Sequence, residues 1–377
     1  MRKKFLLSLF GLAALLLLPG CWDSQEIEEA AWVTSLGFDL AEEDGPFEVH
    51  QMVALTKMLA AGDQGGQGEE DAFFMVSETA DSIQTAVFKA KEFLAREPKY
   101  GHVSNIIASE ELLREKGVSS ILSYTLRDHV LRPFIWISVA SPNAKSVMEK
   151  RTGLEDIPSQ AYLGIMDQAE DAGLAFAVNL LEASKRYLNE NQDLVLPIIT
   201  HKEGQVHIDG MALFKEDLMV DSLHSLDARG LSWALDRGEG LVSISSKDEQ
   251  LITVSFRESN SEVSVEKADD ASLEMNVDIN LQGDISDIEK EHTVAFLSEE
   301  DIPEVTKDVE EEVISIVENS IAKVQKAQSD VFGAADMIAE EFPDVWKKIE
   351  GDWREQYEEM PVNVNVKVDL NRSKRIK

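Results

Sequence analysis

The chain has 377 residues, 44% of them hydrophobic, and a formal net charge of −35 at pH 7. A surface this acidic repels phosphate, which excludes nucleic acid as a partner. The single cysteine excludes an internal disulfide, and the length predicts two or three separately packed domains.

The N-terminus has the pattern of a secretory signal. Basic residues at 2–4 precede an apolar run at 5–18, which is shorter than the roughly 20 residues that a transmembrane helix needs. The run ends in Leu-Pro-Gly-Cys at 18–21, which resembles the lipobox of bacterial lipoproteins. This resemblance implies a signal peptide at 1–20, cleavage after Gly20 and diacylglycerol on the Cys21 sulfur. An ordinary signal peptide with a free thiol, or an uncleaved short anchor, stays open as an alternative.

Beyond Cys21 no apolar run approaches the roughly 18 residues of a membrane span, so we expect a water-soluble body on a membrane tether. The glycine-rich stretch from Ala60 to Asp71 has the composition of a mobile loop. It lacks the lysine and the following helix that a phosphate-binding loop requires.

Apolar spacing in the first half predicts strands mixed with helices. The predicted strands are 31–39, 47–55 and 134–140, and 99–108 is predicted to run from a turn into a further strand. The predicted helices are 81–95, 110–116, 118–126, 144–151, 160–172 and 174–189. Asp81 is the predicted N-cap of the first helix. A short strand or linker at 194–200 leads to a turn at 201–205, where we place a domain boundary.

The second half predicts a sheet under a helix. Strands are predicted at 206–214, 241–245, 251–256, 262–267, 272–281 and 362–368. Helices are predicted at 229–235 and 302–331, followed by a short helix after Gly333 and by a helix that starts at Pro343 and carries both Trp346 and Trp353. In the strand at 272–281, apolar and polar residues alternate, which predicts that one face is buried and the other is exposed to solvent. The long helix has an apolar stripe that can cover the buried face.

These elements predict a multidomain α+β protein, with a mixed N-terminal α/β region and a C-terminal antiparallel sheet covered by a long helix. The predicted N-terminal region is 21–200, with possible subdomains at 21–140 and 141–200. The predicted C-terminal domain is 205–370, and 371–377 form a basic tail.

Three polar side chains invite a catalytic or metal-binding interpretation. They are His102, Asp128 and His129, but no His-x-x-x-His or Cys/His spacing accompanies them. A structural ion network of Arg127, Asp128 and Arg132 at a helix end is the favoured interpretation. No Gly-x-Ser-x-Gly, His-Glu-x-x-His or dinucleotide fingerprint is present, so we predict a binding or assembly protein with no enzyme activity, cofactor or metal.

A series of motif positions, expected to be structural, runs along nearly the whole mature chain: Trp22, Asp23, Gly37, Asp39, Gly101, His102, Arg127, Asp128, Arg132, Gly210, Phe214, Arg229, Gly230, Trp233, Asp330, Phe332, Gly333, Trp346 and Trp353. In this order the motifs resemble the Ger(x)C family of spore germination lipoproteins. One departure is Ala334-Ala335, where the family tends to carry another glycine.

The resemblance implies the lipid-anchored C subunit of a nutrient germinant receptor. Such a subunit lies on the outer face of the spore inner membrane, beside the polytopic A and B subunits, and acts through protein–protein contacts. The only attached groups it implies are the diacylglycerol and an acyl chain such as palmitate on Cys21. A lipid-anchored solute-binding protein of a transporter, which usually has two βαβ lobes, is the alternative, and an envelope enzyme is the third class.

Two C-terminal features have competing interpretations. Trp346, Ile349 and Trp353 are predicted to share one helix face, as a core stripe in preference to a ligand-stacking box. The tail at 371–377 carries four basic residues, which suit either contact with anionic lipid or an acidic partner, or a frayed, solvated terminus.

Overall fold

A computed structural model describes residues 30–55, 72–127, 131–150, 155–245, 250–268, 272–290, 293–294 and 297–371. Several predictions fall outside these ranges. They concern Gly20, Cys21, Trp22, Asp23, Asp128, His129, the loop at 60–71 and the basic residues of the tail.

Nine strands form a mixed sheet in the first part of the molecule. They are Ala30–Leu40 (β1), Phe47–Ala54 (β2), Phe73–Ala80 (β3), Glu97–Lys99 (β4), Asn105–Ser109 (β5), Trp136–Ser141 (β6), Val195–Lys202 (β7), Gln205–Lys215 (β8) and Leu218–His224 (β9). Their order is β3-β2-β1-β5-β6-β7-β8-β9, with β4 beside β1. The central strands β1, β5, β6 and β7 are parallel, and antiparallel hairpins complete both sides.

Six α-helices accompany this sheet within the described ranges. They are Ile83–Lys89 (α1), Glu110–Glu115 (α2), Ser119–Arg127 (α3), Ala144–Met148 (α4), Pro158–Asp171 (α5) and Leu180–Leu188 (α6). The N-cap of α1 is Ser82, whose side chain accepts the N–H of Thr85, so the predicted Asp81 cap is wrong by one residue. Side-chain caps from Asn143 and Asn179 begin α4 and α6 in the same way.

The helix predicted at 174–189 is shorter than its composition suggested. It begins at Leu180, after a buried extended stretch in which the Val178 carbonyl accepts the N–H of Ile137 at 3.0 Å. Pairing with the beginning of β6 therefore overrides the helix propensity of the alanines at 175 and 177.

The turn predicted at 201–205 lies inside the large sheet. Glu203 and Gly204 have positive φ angles and join β7 to β8 as an antiparallel hairpin. The sheet therefore continues to β9. The domain limits given above stay predictions, although the described chain crosses residue 205 without leaving this sheet.

The second part contains a five-stranded sheet with helices around it. Its elements are Ser225–Ala234 (α7), Gly240–Ser245 (β10), Leu251–Lys267 (β11), Leu273–Lys290 (β12), Thr293–Val294 (β13), Ile302–Lys326 (α8), Ala334–Glu341 (α9), Pro343–Ile349 (α10), Trp353–Glu359 (α11) and Val362–Asn371 (β14). The strand order is β10-β11-β12-β13, and β14 pairs with β12.

Three details differ from the sequence prediction, while the α+β class is confirmed. The strands predicted at 251–256 and 262–267 are one strand, β11, which pairs with β12 along its whole length. The final strand β14 runs parallel to β12, so the sheet is mixed instead of antiparallel. The long helix ends at Lys326, because Gln328 adopts a positive φ that ends the helical geometry.

The long helix α8 covers the second sheet as predicted. Val305, Val309 and Val313 are buried on its apolar face, and Val277 and Ile279 are buried on β12. Each such buried aliphatic side chain contributes about 1.5–3 kcal/mol relative to exposure. Packing of this stripe therefore fixes the helix over the sheet.

Candidate functional site

The loop between α8 and α9 carries the family motif at 330–333. Asp330 is 1% exposed, and its carboxylate accepts the N–H groups of Ala334 at 2.9 Å and Ala335 at 2.8 Å. Gly333 has a φ of 74°, which aims the chain into α9. Burial raises the pKa of Asp330 to about 6, although the two N–H groups oppose this shift. Asp330 is therefore a buried cap of α9.

Asp193, just before β7, binds this loop from the large-sheet side. It is 3% exposed, and its carboxylate accepts the N–H of Asp330 at 2.6 Å and the N–H of Glu216 at 2.9 Å. Arg354 of α11 donates to both of its oxygens, one contact measuring 3.0 Å. One carboxylate thus joins the loop before β7, the turn after β8 and two segments of the second part.

Further hydrogen bonds line the same contact. Arg186 and Gln192 each donate to the Val331 carbonyl at 3.1 Å, and the Asn189 amide donates to Asp336. We call the set Asp193, Asp330, Arg354, Arg186 and Gln192 the junction. Each carboxylate oxygen in the junction already accepts a hydrogen bond from the protein. The junction therefore holds distant segments of the chain together.

The motif in α7 forms a second contact between the two parts. Arg229 is 9% exposed and donates to the carbonyls of Leu241 at 2.6 Å and Ala172 at 3.4 Å. Burial lowers the pKa of Arg229. Trp233 is fully buried, and its indole N–H donates to the Glu239 carbonyl at 3.2 Å. The helix thus ties the end of α5 to the beginning of β10.

Gly230 allows α7 to approach α8 closely. A Cβ atom at this position would lie 2.1 Å from the Ser320 hydroxyl oxygen and 2.8 Å from the Ile316 carbonyl. The arginine and the glycine of the motif therefore contact different neighbours: Arg229 contacts the end of α5 and β10, and Gly230 contacts α8.

Asp39 at the end of β1 belongs to a third buried cluster. It binds His50 at 2.9 Å and accepts the N–H groups of Ala144 at 2.7 Å and Lys145 at 3.0 Å. Burial alone would raise the pKa of Asp39, but His50 and the two N–H groups outweigh it and hold this pKa below its usual value. The pairing docks α4 on the sheet, where Gly37 leaves room for Met148.

The remaining N-terminal motif positions lie at the surface. His102 is exposed beside the turn at Gly101 and meets Trp32 edge-on, with ring centroids 4.5 Å apart. Arg127 and Arg132 are also exposed. Because Asp128 lies outside the described residues, their ion network stays a prediction. Among the residues with described placement, no group of three His, Cys, Asp or Glu side chains could hold a metal.

Gly210 and Phe214 hold β8 in place. Gly210 has a φ of 137°, and a Cβ atom there would lie 2.0 Å from the Leu223 carbonyl oxygen. Phe214 is fully buried, and its carbonyl accepts the Ser329 hydroxyl at 2.5 Å. Phe332 in the motif loop is also buried.

Trp346 and Trp353 lie on two helices instead of on one continuous helix. A short 3-10 segment, Glu350–Asp352, separates α10 from α11. The two rings still meet edge-on, with centroids 5.5 Å apart, and Trp353 is 6% exposed. Ile349 and Trp346 pack against the core, as a core stripe would.

Two family models match the chain in consecutive blocks. Residues 23–201 match the model described as spore germination protein N-terminal domain, and residues 209–374 match the model described as spore germination B3/GerAC like, C-terminal. The chain belongs to the Ger(x)C family. The suspected resemblance is thereby confirmed.

Curated relatives of this Ger(x)C protein match over nearly their full lengths. Spore germination protein YndF of Bacillus subtilis is 24% identical, with 93% of this chain and 92% of that protein covered. Spore germination protein KC of Bacillus subtilis is 22% identical, covering 99% and 97%. Spore germination protein B3 of the same organism is 21% identical, covering 92% and 91%.

A solved structure shows the same fold. The crystal structure of the GerBC protein superimposes with a TM-score of 0.58 at 18% identity, covering 92% of this chain and 99% of that one. None of the helices in the described ranges of the Ger(x)C protein is long and apolar enough to span a membrane.

Sequence reasoning found one side of the junction and missed the other. Local motifs mark Asp330 on one side of the junction but neither Asp193 nor Arg354 on the other, and they do not mark His50 beside Asp39. The polar run at 189–193 is typical of the end of a helix. Its signal was an aspartate placed directly before the apolar run at 194–199.

A cleft of about 900 Å³ opens beside α1 and α3 of the Ger(x)C protein. Its lining consists of Phe47, Asp81, Ser82, Ile83, Gln84, Ser119, Ser120, Ser123, Tyr124 and Arg127. The described lining residues include no histidine, the usual base beside a nucleophilic serine. The absence of enzyme activity stays a prediction.

Proposed function

We propose that this Ger(x)C protein is the lipid-anchored C subunit of a spore nutrient germinant receptor and that it acts through protein–protein contacts. One observation carries the proposal. Two germination-protein domains match in order at 23–201 and 209–374, directly behind a lipobox-like sequence at 18–21. The relatives that match along their whole length are also spore germination proteins by name.

The proposed anchor is the lipidated Cys21. Each buried methylene contributes about 0.8 kcal/mol, so one acyl chain binds a membrane marginally and two or more bind it stably. A tethered body stays at high local concentration beside polytopic A and B subunits. The subunit would thereby support receptor assembly on the outer face of the spore inner membrane.

The fold gives the transporter alternative no support. A solute-binding protein of that class was expected to have two βαβ lobes around a hinge. This chain instead has a nine-stranded and a five-stranded sheet, joined by the buried junction. A carboxylate that is shared by four backbone and guanidinium donors opposes hinge opening at that contact.

The test is to replace Cys21 by alanine in the source organism. We expect the Cys21→Ala protein to leave the spore membrane fraction and nutrient-triggered germination to fall. Ser24→Ala, which keeps the thiol, is the matched control and should behave as the unchanged protein. Immunoblots of whole spores correct for abundance. Unchanged membrane retention and unchanged germination in Cys21→Ala would contradict the proposal.

A further inference from the structure

The outer face of α6 carries large apolar side chains at the protein surface. Leu181 is 38% exposed and Leu188 is 69% exposed, and the exposed Lys185 lies between them on the same helical face. The opposite face buries Leu180 and Ala183 in the core. Leucines on both faces are unusual for a helix that only covers a sheet, because the solvent face is normally polar.

Phe134 extends this face. It is 69% exposed and follows Pro133, whose carbonyl accepts the N–H of Leu181 at 2.9 Å. This hydrogen bond fixes the segment before β6 alongside the beginning of α6. We call the following residues the α6 surface: Phe134, Leu181, Lys185 and Leu188.

The α6 surface lies at the end of the sheet where the N-terminal segment enters. In the parallel strands, Ser35 pairs with Asn105, and Asn105 pairs with Trp136, so these residues form one line across β1, β5 and β6. Ala30 precedes Ser35 and Phe134 precedes Trp136. Both therefore lie on the same side of that line, where the parallel strands begin.

Chain geometry limits how far this end can be from the anchor. The segment from Cys21 to Ala30 spans at most about 30 Å when fully extended. With a spacing of about 4.8 Å between neighbouring strands, β1 and β6 lie about 10 Å apart. A bilayer that holds Cys21 is thus within reach of the α6 surface.

The charges on α6 favour the same orientation. Glu182, the acidic residue of this helix, faces Arg237 at 2.8 Å and Arg186 at 3.6 Å instead of solvent. Lys185 is exposed on the outer face, and Glu190 is exposed beyond the helix end. The chain as a whole has a net charge of −35 and repels anionic headgroups. The outer face of α6 does not repel them, because its charged group is a lysine.

We propose that the α6 surface rests on the lipid bilayer, with Phe134, Leu181 and Leu188 at the boundary between headgroups and acyl chains. Lys185 extends its ammonium group to the phosphates while its methylene stem stays among the leucines. This inference rests on the proposed lipid anchor, because the anchor brings the membrane to this end. It assigns an orientation in which β1 begins near the membrane.

The experiment places a fluorophore on a cysteine introduced into a chain that has one native thiol. In the full lipoprotein, lipid occupies Cys21, so the fluorophore NBD attached to Leu188→Cys labels the α6 surface alone. The protein is reconstituted into phosphatidylcholine–phosphatidylglycerol vesicles that contain a lipid-borne spin-label quencher. Leu241→Cys, at a position 47% exposed on β10, is the matched control. We expect quenching at position 188 to be several-fold stronger than at 241.

The outcomes separate this inference from the anchor itself. Quenching at 188 no stronger than at 241 on vesicle-bound protein would overturn the inference while leaving the proposed function intact. Failure of the protein to bind vesicles would overturn both. A third outcome is that position 188 becomes shielded from iodide only when the membrane subunits are present, with no quenching by the lipid-borne spin label. That outcome would overturn the inference, because it would show that the α6 surface contacts a protein instead of the bilayer.

A second set of variants tests the apolar side chains directly. Here the fluorophore is attached at Lys185→Cys. The triple variant Phe134→Ser, Leu181→Ser, Leu188→Ser should then lose the lipid quenching. The matched control combines Leu218→Ser, Leu226→Ser and Leu241→Ser, which are 43%, 49% and 47% exposed in the starting protein. It should keep the quenching, and unchanged thermal unfolding of both variants excludes misfolding. Equal quenching in both variants would contradict the proposal.

Discussion

At the scale of single residues, Asp193 is the point at which distant segments meet. Its partners Asp330 and Arg354 lie 137 and 161 residues away in sequence, and each reaches the same carboxylate. A bidentate guanidinium–carboxylate pair holds its geometry better than a single contact. Asp193 therefore reports on the contact between the two parts of the molecule.

We predict that Asp193→Ala lowers the free energy of unfolding by about 3–5 kcal/mol, because the largely buried Arg354 guanidinium and two backbone N–H groups lose their acceptor. Urea unfolding followed by circular dichroism measures the change. Glu355→Ala, at the exposed position next to Arg354, is the control and should shift stability by less than about 0.5 kcal/mol. Equal stabilities of the two variants would show that the junction contributes little.

Asp330 predicts a pH dependence with a defined sign. Its pKa is raised by burial to about 6 in the folded protein. A carboxyl group with a raised pKa stabilises the fold while it is protonated, so its contribution falls as pH rises through about 6. The Asp330→Asn variant carries no titrating group at this position and lacks this dependence.

We compare the free energies of unfolding of the unchanged protein and of Asp330→Asn. Between about pH 5 and about pH 8, the unchanged protein should lose about 1 kcal/mol of stability relative to the variant. Urea unfolding of both proteins at several pH values measures it. This pH range lies above the isoelectric point of about 4.5, at which the protein has no net charge to keep its molecules apart. A difference that does not vary with pH would contradict the assigned pKa shift.

The sequence identified the motif side of these clusters but not their partners. Asp330 and Gly333 could be found because they form a recognisable local pattern with Phe332. Asp193 could not, because its role depends on residues more than a hundred positions away. Local pattern gives no information on such pairs.

At the scale of elements, the crossing of α7 and α8 depends on one glycine. We predict that Gly230→Ala destabilises the protein by about 1–3 kcal/mol, because the new methyl group meets Ser320 and the Ile316 backbone. Differential scanning calorimetry measures the change as a lower melting temperature.

Gly164→Ala in α5 is the matched helical control. A Cβ atom at Gly164 would meet nothing within 4 Å. The alanine should therefore stabilise the helix by about 0.5–1 kcal/mol through its higher helix propensity. An increase of the melting temperature in both alanine variants would contradict the close approach of α7 to α8 at Gly230.

Element prediction succeeded where periodicity was strong and failed where tertiary pairing decided. The stripe of α8 was clear from the spacing of Val305, Val309 and Val313. The polar stretch at 257–261 looked like a loop, but it contains no glycine or proline and continues β11 by pairing with β12. The direction of β14 could not be predicted, since alternation is the same for parallel and antiparallel strands.

At the scale of the whole molecule, charge and tether act together. The chain carries a net charge of −35, which disfavours close approach to an anionic surface. A lipid at Cys21 and an apolar α6 surface would offset this repulsion at one end of the large sheet. In the proposed orientation, the acidic remainder would extend away from the bilayer.

The α+β class and the family followed from the sequence because the motifs span nearly the whole chain in order. The continuity of the large sheet past residue 205 did not follow. A hairpin turn and a linker between domains share the same polar, glycine-containing composition, as His201 to Gln205 illustrate. Only the pairing of β7 with β8 distinguishes them.

The most direct test of the central claim is to delete the gene in the source organism and to score its spores with nutrients and with a trigger that bypasses nutrient receptors. The account predicts that nutrient-triggered germination falls, that the bypass response is unchanged, and that the restored gene recovers the nutrient response. Strains lacking paralogous receptors should serve as the background, so that no second receptor masks the loss. Full nutrient-triggered germination of the deleted strain in that background would contradict a role in the germinant receptor.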